Sequence, residues 1–148
     1  MDILTELEPE AKLARKTHRY IAAAIDYFLL IVIYIILGMV FGEHYIEDNT
    51  VGFKLEGWPA LLWFAGWFLL FPVAEAAAGQ TVGKMLMKTK VVQEDYSKAS
   101  FGTTLVRHLF DVIDNFPFLG IVGLIVAANN PQNKRVGDLV AKTIVIYK

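Results

Sequence analysis

A long apolar stretch near the start of the chain dominates its pattern of hydrophobic and polar residues. From Tyr20 to Phe41 every residue except Asp26 is apolar, aromatic or glycine. As a helix, this stretch would be about 32 Å long at ~1.5 Å per residue. Because the hydrocarbon core of a bilayer is about 30 Å thick, the pattern predicts a transmembrane helix over residues 20–41.

A second apolar stretch follows a polar loop and has the same character. It runs from Trp58 to Ala78, and Glu75 is its only charged residue. An aromatic residue followed by proline, as at its start, is typical of a helix that begins at the membrane interface. The stretch predicts a second transmembrane helix over residues 58–78, with a kink at Pro72.

The third apolar region is interrupted by Pro117, which breaks a helix. Its first half is amphipathic, with leucine and isoleucine on one stripe and three charged residues on the other, namely Arg107, Asp111 and Asp114. Its second half is wholly apolar but would be only about 20 Å long as a helix. The region therefore predicts a broken helical hairpin over residues 101–130, either re-entrant or built from two short spans.

The two ends of the chain are polar and are assigned to one side of the membrane. Residues 1–19 contain the segment from Pro9 to Arg19, which we interpret as an interfacial helix, and residues 131–148 form a tail. The β-branched runs at residues 88–95 and 142–148 predict a small two-stranded sheet, which requires both runs to lie on the same face of the bilayer. The fold class is therefore all-α integral membrane, one domain over residues 1–148, with a small cytoplasmic sheet.

Charge gives the orientation and excludes several classes of function. Basic residues precede the first helix and follow the second, whereas the loop at residues 43–57 is acidic. The positive-inside rule then places both termini in the cytoplasm, in a plasma or inner membrane. The net charge of −1 gives no attraction for nucleic acid, and the absence of cysteine excludes disulfides and thiolate metal sites.

Asp26 is the most informative single residue, because an ionised acid in the bilayer costs about 2.5–3.5 kcal/mol. Arg19, Ala22 and Asp26 share one helix face, so this face is expected to contact protein. One interpretation is a structural contact to an arginine or to backbone. The other is a polar pocket shared with Glu75, which lies at a similar depth, and reached by the charged residues of the amphipathic arm.

Other candidate chemistry is weak. The run from Gly79 to Met85 lacks the first glycine and the final serine or threonine of a phosphate-binding loop, and it is interpreted as a turn with Lys84 at headgroup level. The three histidines show no metal-ligand spacing. We therefore expect no enzyme activity, no cofactor and no metal.

Four ordered segments resemble the RDD family of small prokaryotic membrane proteins. They are "RYIAAAID", "GQTVGKMLMKTKVV", "LVRHLFDVID" and "NKRVGDLVAKTIVI". The resemblance matches Arg19 and Asp26 to the arginine and first aspartate of the family name, and Asp138 to the second aspartate. It implies a multi-pass membrane protein with a suspected transport role, for which Na⁺/H⁺ exchange has been proposed in some members.

Three functions compete at this stage. In a transporter, Asp26, Glu75, Asp111 and Asp114 would bind an ion or proton, and Arg19, Arg107 and Asp138 would form ion pairs that gate it or are structural. Two full spans cannot enclose a pathway, so this interpretation needs the hairpin or a homo-oligomer in the lipid bilayer, with a monovalent cation or proton as substrate. In a scaffold, the same residues only fix helix packing. A lipid-handling protein or membrane enzyme, using interfacial basic residues, ranks last.

Overall fold

A computed structural model describes residues 11–47, 50–111 and 121–148. Helix α1 spans Lys16–Phe41 and contains the first predicted transmembrane helix. In each of the helices Lys16–Phe41 and Trp58–Ala78, only 17% of the most apolar window is buried, and both are long and apolar enough to cross a membrane. A core helix of a soluble protein would be mostly buried, so the two predicted spans are confirmed as candidate membrane helices.

The second span is one continuous helical segment with a change of winding in the middle. It begins as α2 (Trp58–Phe68), passes through a π-helical segment (Leu69–Val73) and ends as α3 (Ala74–Ala78). Pro72 lies inside the π-helical segment. Proline lacks the N–H that would continue the α-helical hydrogen bonds, so the winding changes from α to π at Pro72, the residue at which the sequence predicts a kink.

The loop between the two spans contains a β-hairpin that the sequence analysis did not predict. Strand β1 (Glu43–Glu47) pairs antiparallel with β2 (Thr50–Lys54). The register places Glu43 opposite Lys54, so one acidic residue of the loop faces its only basic residue. The signal that could have revealed the strands is the β-branched and aromatic run on each side of a turn sequence.

The predicted two-stranded sheet is confirmed. After the short helix α4 (Val82–Leu86), strand β3 (Thr89–Gln93) pairs antiparallel with β4 (Thr143–Tyr147). Buried aliphatic side chains from both strands form the apolar core beside this sheet: Val91, Val92, Ile144, Val145 and Ile146. The sheet therefore joins the segment after the second span to the tail.

The N-terminal flank corrects one prediction. Within the predicted interfacial helix from Pro9 to Arg19, residues 11–15 are not helical, because Leu13 forms a β-bridge to Ile146. The N–H of Ala14 donates to the carbonyl of Val145 at 2.9 Å, which extends the sheet by a short third segment. The free edge of β4 offers backbone groups to this segment, and α1 begins only at Lys16.

The remaining elements belong to the predicted hairpin and the tail. They are α5 (Phe101–Leu109), α6 (Ile121–Ala128) and α7 (Val136–Val140). The predicted break at Pro117 lies outside the described residues, so the hairpin turn and its depth stay predictions. The two sheets show that the all-α class was too narrow, since the chain combines membrane helices with two antiparallel strand pairs.

These contacts place the two sheets at opposite ends of the membrane helices. The segment before α1, the strand after α3 and the tail meet at the β3–β4 sheet, whereas the β1–β2 hairpin joins the opposite ends of the two spans. Lys16 Nζ also donates to the carbonyl of Ala128 at 3.4 Å, so α6 ends near the start of α1. This arrangement is required if both termini lie on the same side of the membrane.

Candidate functional site

Asp26 binds the start of helix α4 rather than another charged residue. Its Oδ1 accepts a 2.7 Å hydrogen bond from the Gly83 N–H, and its Oδ2 accepts one from the Thr81 hydroxyl. Thr81 is also the N-cap residue of α4. A carboxylate that accepts hydrogen bonds at a helix N-terminus keeps its charge at a low energetic cost, even when only 6% exposed.

The contact between α1 and α4 is close enough to exclude side chains. A Cβ atom on Gly83 would lie 2.0 Å from the carbonyl oxygen of Ala22 and 3.0 Å from the Asp26 carboxyl carbon. Glycine is therefore required at this crossing, and the small Ala22 provides the facing surface. The predicted protein-facing side of α1 is thus the side that packs on α4.

A chain of buried ion pairs runs beside this contact. Arg19 pairs with Asp138, Arg107 joins Asp138 to Glu75, and Glu75 also pairs with Lys84. The link from Arg107 Nε to Asp138 Oδ1 is 2.6 Å long. Arg107 is 1% exposed and both carboxylates are 1% or less exposed, so the charges are compensated by one another rather than by water.

Asp138 holds its position through the backbone as well. It lies in the first turn of α7, where its Oδ2 accepts a 2.9 Å hydrogen bond from the Arg135 N–H. Burial alone would raise the pKa of Asp138, but the guanidinium groups of Arg107, Arg19 and Arg135 outweigh it and hold the pKa well below its usual range. Asp138 is therefore ionised at every physiological pH.

His108 lies between two carboxylates on the amphipathic helix α5. Its Nδ1 is 2.7 Å from Asp111 Oδ2, and its Nε2 is 3.5 Å from Glu75 Oε2. Burial alone lowers the pKa of His108, but the charge of Glu75 and the hydrogen bond to Asp111 outweigh it and raise the pKa above its usual 6.5. Among the side-chain types in the cluster, only imidazole has an ordinary pKa close to neutral pH.

The charged cluster surrounds a small cavity of about 20 Å³. That volume is enough for about one water molecule. The titratable side chains that line it come from four parts of the chain: Arg19, Asp26 and Tyr27; Lys84; Arg107, His108 and Asp111; and Arg135. Among the described residues, Arg107 Nη2 is buried here with no hydrogen-bond partner. The arrangement therefore offers a donor to a single small guest.

The predicted site residues are brought together in part. Arg19, Arg107, Asp111 and Asp138 join the cluster, and Arg19 pairs with Asp138 rather than with Asp26. Asp114 lies outside the described residues. Asp26 and Glu75 lie in one polar region, but their hydrogen bonds in the described part of the chain go to different groups, Asp26 to α4 and Glu75 to basic side chains.

Sequence reasoning missed two members of the cluster and misplaced one of them. Lys84 is not at headgroup level, because its side chain is 11% exposed and pairs with Glu75. Burial lowers the pKa of Lys84 despite the neighbouring carboxylate of Glu75. His108 was set aside for want of metal spacing, although Arg107, His108 and Asp111 lie within one turn, a signal that could have marked it.

The titration of His108 gives a test of the cluster. A pKa raised by folding stabilises the folded state below about pH 6.5 and loses that contribution as the pH rises through the folded-state pKa. The melting temperature in detergent should therefore fall as the pH rises above about 6.5. His108→Gln should flatten this slope, whereas His44→Gln, at an exposed position on β1, should keep it. An unchanged slope in His108→Gln would show that another group controls the transition.

The fold and the site together define a class: a membrane protein with two candidate spans and a charge-compensated polar cluster next to them. The sequence model of the RDD family matches residues 13–142, which is most of the chain, and the protein belongs to that family. The matched residues include the Arg19–Asp138 pair and Asp26.

Two other comparisons give no relatives. No curated protein and no solved structure matches the chain significantly. Membership of the RDD family therefore rests on the match over residues 13–142.

Proposed function

We propose that this RDD protein transports protons across the membrane together with a small ion or solute, with His108 as the group that takes up and releases the proton. The observation that carries the proposal is a buried histidine between Glu75 and Asp111, beside a cavity large enough for about one water molecule. A buried imidazole between two carboxylates can change its protonation near neutral pH while its neighbours stay ionised.

The contacts favour a proton over sodium as the transported cation. Sodium needs several oxygen ligands, but both oxygens of Asp26 already accept hydrogen bonds. Both oxygens of Glu75 face basic groups, namely Arg107 and Lys84. Within the described residues, no group of three or more acidic, histidine or cysteine side chains is arranged to hold a metal ion.

The other residues have supporting roles in this proposal. Asp26 fixes α4 against α1, and α4 carries Lys84 to Glu75. The Arg19–Asp138 pair closes the cluster toward the tail, where it would act as a gate. Two spans alone cannot enclose a transport pathway, so a homo-oligomer would supply the remaining helices. In this proposal both termini lie in the cytoplasm; the basic flanks support that orientation, and the meeting of those flanks at one sheet supports a common side.

Reconstituted protein can test proton transport directly. Proteoliposomes with a trapped pH-sensitive dye receive a membrane potential, and the initial rate of internal pH change is measured. We expect wild type and His44→Gln to exceed protein-free liposomes, and His108→Gln to fall to the protein-free rate. The same measurement with an imposed sodium gradient distinguishes sodium exchange from proton movement. Equal rates for wild type and protein-free liposomes would overturn the proposal.

A scaffold function is the second candidate, and one observation favours it. Most charged atoms of the cluster are paired within the protein, and the two oxygens of Asp26 bind α4 only. Such contacts fix helix packing without a substrate. This candidate gains support if wild-type liposomes show no proton movement while the cluster variants lose stability.

A further inference from the structure

The cavity inside the charged cluster has a chemical preference that follows from its walls. Arg19, Lys84, Arg107 and Arg135 supply four basic groups, and Asp26 and Asp111 supply two acidic ones. Glu75 and Asp138 do not line the cavity, but both pair with Arg107 and bring the number of acidic charges in the cluster to four. The fixed charges are therefore balanced when His108 is neutral, and they leave one excess positive charge when it is protonated.

The polar atoms of the residues that line the cavity also favour a negatively charged guest. Arg107 Nη2 is an N–H donor, buried in a side chain that is 1% exposed, and no described residue accepts from it. His108 Nε2 is 3.5 Å from its nearest carboxylate oxygen, at the limit of hydrogen bonding. Asp111 is the acidic exception: its Oδ2 faces His108 Nδ1, and its buried Oδ1 has no hydrogen-bond partner among the described residues and lies 3.9 Å from Arg135 Nη2. Buried donors of this kind are normally satisfied.

We propose that this cavity binds one small monovalent anion, of the size of chloride or bromide, held by Arg107 Nη2 and protonated His108. A volume of about 20 Å³ fits one guest of the size of a water molecule, so sulfate and phosphate are excluded by size. The anion would neutralise the excess charge of the cluster. If the proposed function holds, on which this role rests, the anion would be the ion that is transported together with the proton.

Binding should weaken as the pH rises, because His108 then loses its charge. The charged groups that face His108 are Glu75 from the second span, Asp111 on its own helix, and Arg107, Lys84, Arg19, Arg135 and Asp26 around the cavity. The arginines among them keep their charge over this pH range, whereas burial lowers the pKa of Lys84. The comparison of wild type with His108→Gln therefore assigns the pH dependence of binding to His108, because Lys84 is present in both.

Thermal unfolding of the full chain in detergent tests the anion. Sodium gluconate is replaced by sodium chloride, bromide or sulfate at constant ionic strength. We expect chloride and bromide to raise the melting temperature in proportion to the logarithm of concentration above Kd, by about 3 °C at a tenfold excess over Kd. Sulfate should give only the general stabilisation of a salt excluded from the protein surface. The chloride shift should be larger near pH 6 than near pH 9. Equal melting temperatures in gluconate, chloride and bromide would overturn the inference and indicate water in the cavity.

A matched pair of alanine variants separates the cavity from general salt effects. Ala23 lines the cavity and Ala24 is exposed on the same helix. Ala23→Leu fills the cavity without changing any charge, so it should abolish the chloride shift, whereas Ala24→Leu should keep it. A chloride shift retained in Ala23→Leu contradicts the inference. If Ala23→Leu does not fold, the comparison of salts on the wild type still decides.

The two proposals can fail separately. Binding is measured without a membrane, so an absent chloride shift leaves proton transport in liposomes untouched. A chloride shift without proton movement would establish the anion site and overturn the transport proposal. The experiment thus assigns each failure to one of the two.

Discussion

Replacing Arg107 with methionine is expected to lower the free energy of unfolding by about 3–5 kcal/mol. Arg107 is the only side chain among the described residues that pairs with both Glu75 and Asp138. Both carboxylates are fully buried as side chains, so the variant removes one compensating charge from each of them and leaves Glu75 with Lys84 and Asp138 with Arg19. Methionine keeps much of the apolar volume, so the loss reports on charge rather than on packing.

Thermal and denaturant unfolding in detergent would measure this effect. Arg15→Met, at an exposed position before α1, is the control and should change stability by less than about 0.5 kcal/mol. Adding Asp138→Asn to Arg107→Met removes the second member of a directly interacting pair, so the double variant should be more stable than the sum of the single losses predicts. An Arg107→Met protein as stable as wild type would show that the ion pairs do not hold the fold.

Gly83→Ala is expected to destabilise the protein by about 3 kcal/mol through a steric clash and a weakened hydrogen bond. The new Cβ would lie 2.0 Å from the Ala22 carbonyl oxygen, and neither backbone can move without separating α4 from α1. Separation lengthens the 2.7 Å hydrogen bond from the Gly83 N–H to Asp26. The variant therefore disturbs Asp26 without changing any charged residue.

The matched control for this variant is Gly102→Ala in α5. A Cβ on Gly102 would approach only Ser100 Oγ, at 3.9 Å, which is ordinary van der Waals contact. Alanine is also a better helix former than glycine, so this variant should be as stable as wild type or slightly more stable. If both glycine variants melt at the wild-type temperature, the close contact between α1 and α4 is not required.

The two spans were predictable from sequence because their signal is local. Length and hydropathy alone mark residues 20–41 and 58–78, and Pro72 announces a disturbance of the second helix. The β3–β4 sheet was also predictable, because both runs are β-branched and the charge pattern placed them on one side. The β1–β2 hairpin was missed because its acidic residues were interpreted as a loop.

The partners within the site were less predictable than its members. Helix periodicity placed Arg19 and Asp26 on one face, but it could not show that Arg19 reaches Asp138 in the tail while Asp26 reaches Thr81 and Gly83. These contacts join residues far apart in the chain, and their choice depends on how short helices after the second span pack. Depth along a helix likewise placed Glu75 beside Asp26 without revealing that basic side chains surround Glu75.

The pairing of Arg19 with Asp138 also determines the order in which the structure can be completed during synthesis. Arg19 is made with the first span, and Asp138 follows it by 119 residues. Until Asp138 is made, Arg19 lacks its carboxylate partner, Arg107 has only Glu75, and β3 lacks the strand that pairs with it. The two spans therefore exist before the contacts that join them to the tail, and those contacts form in a later step.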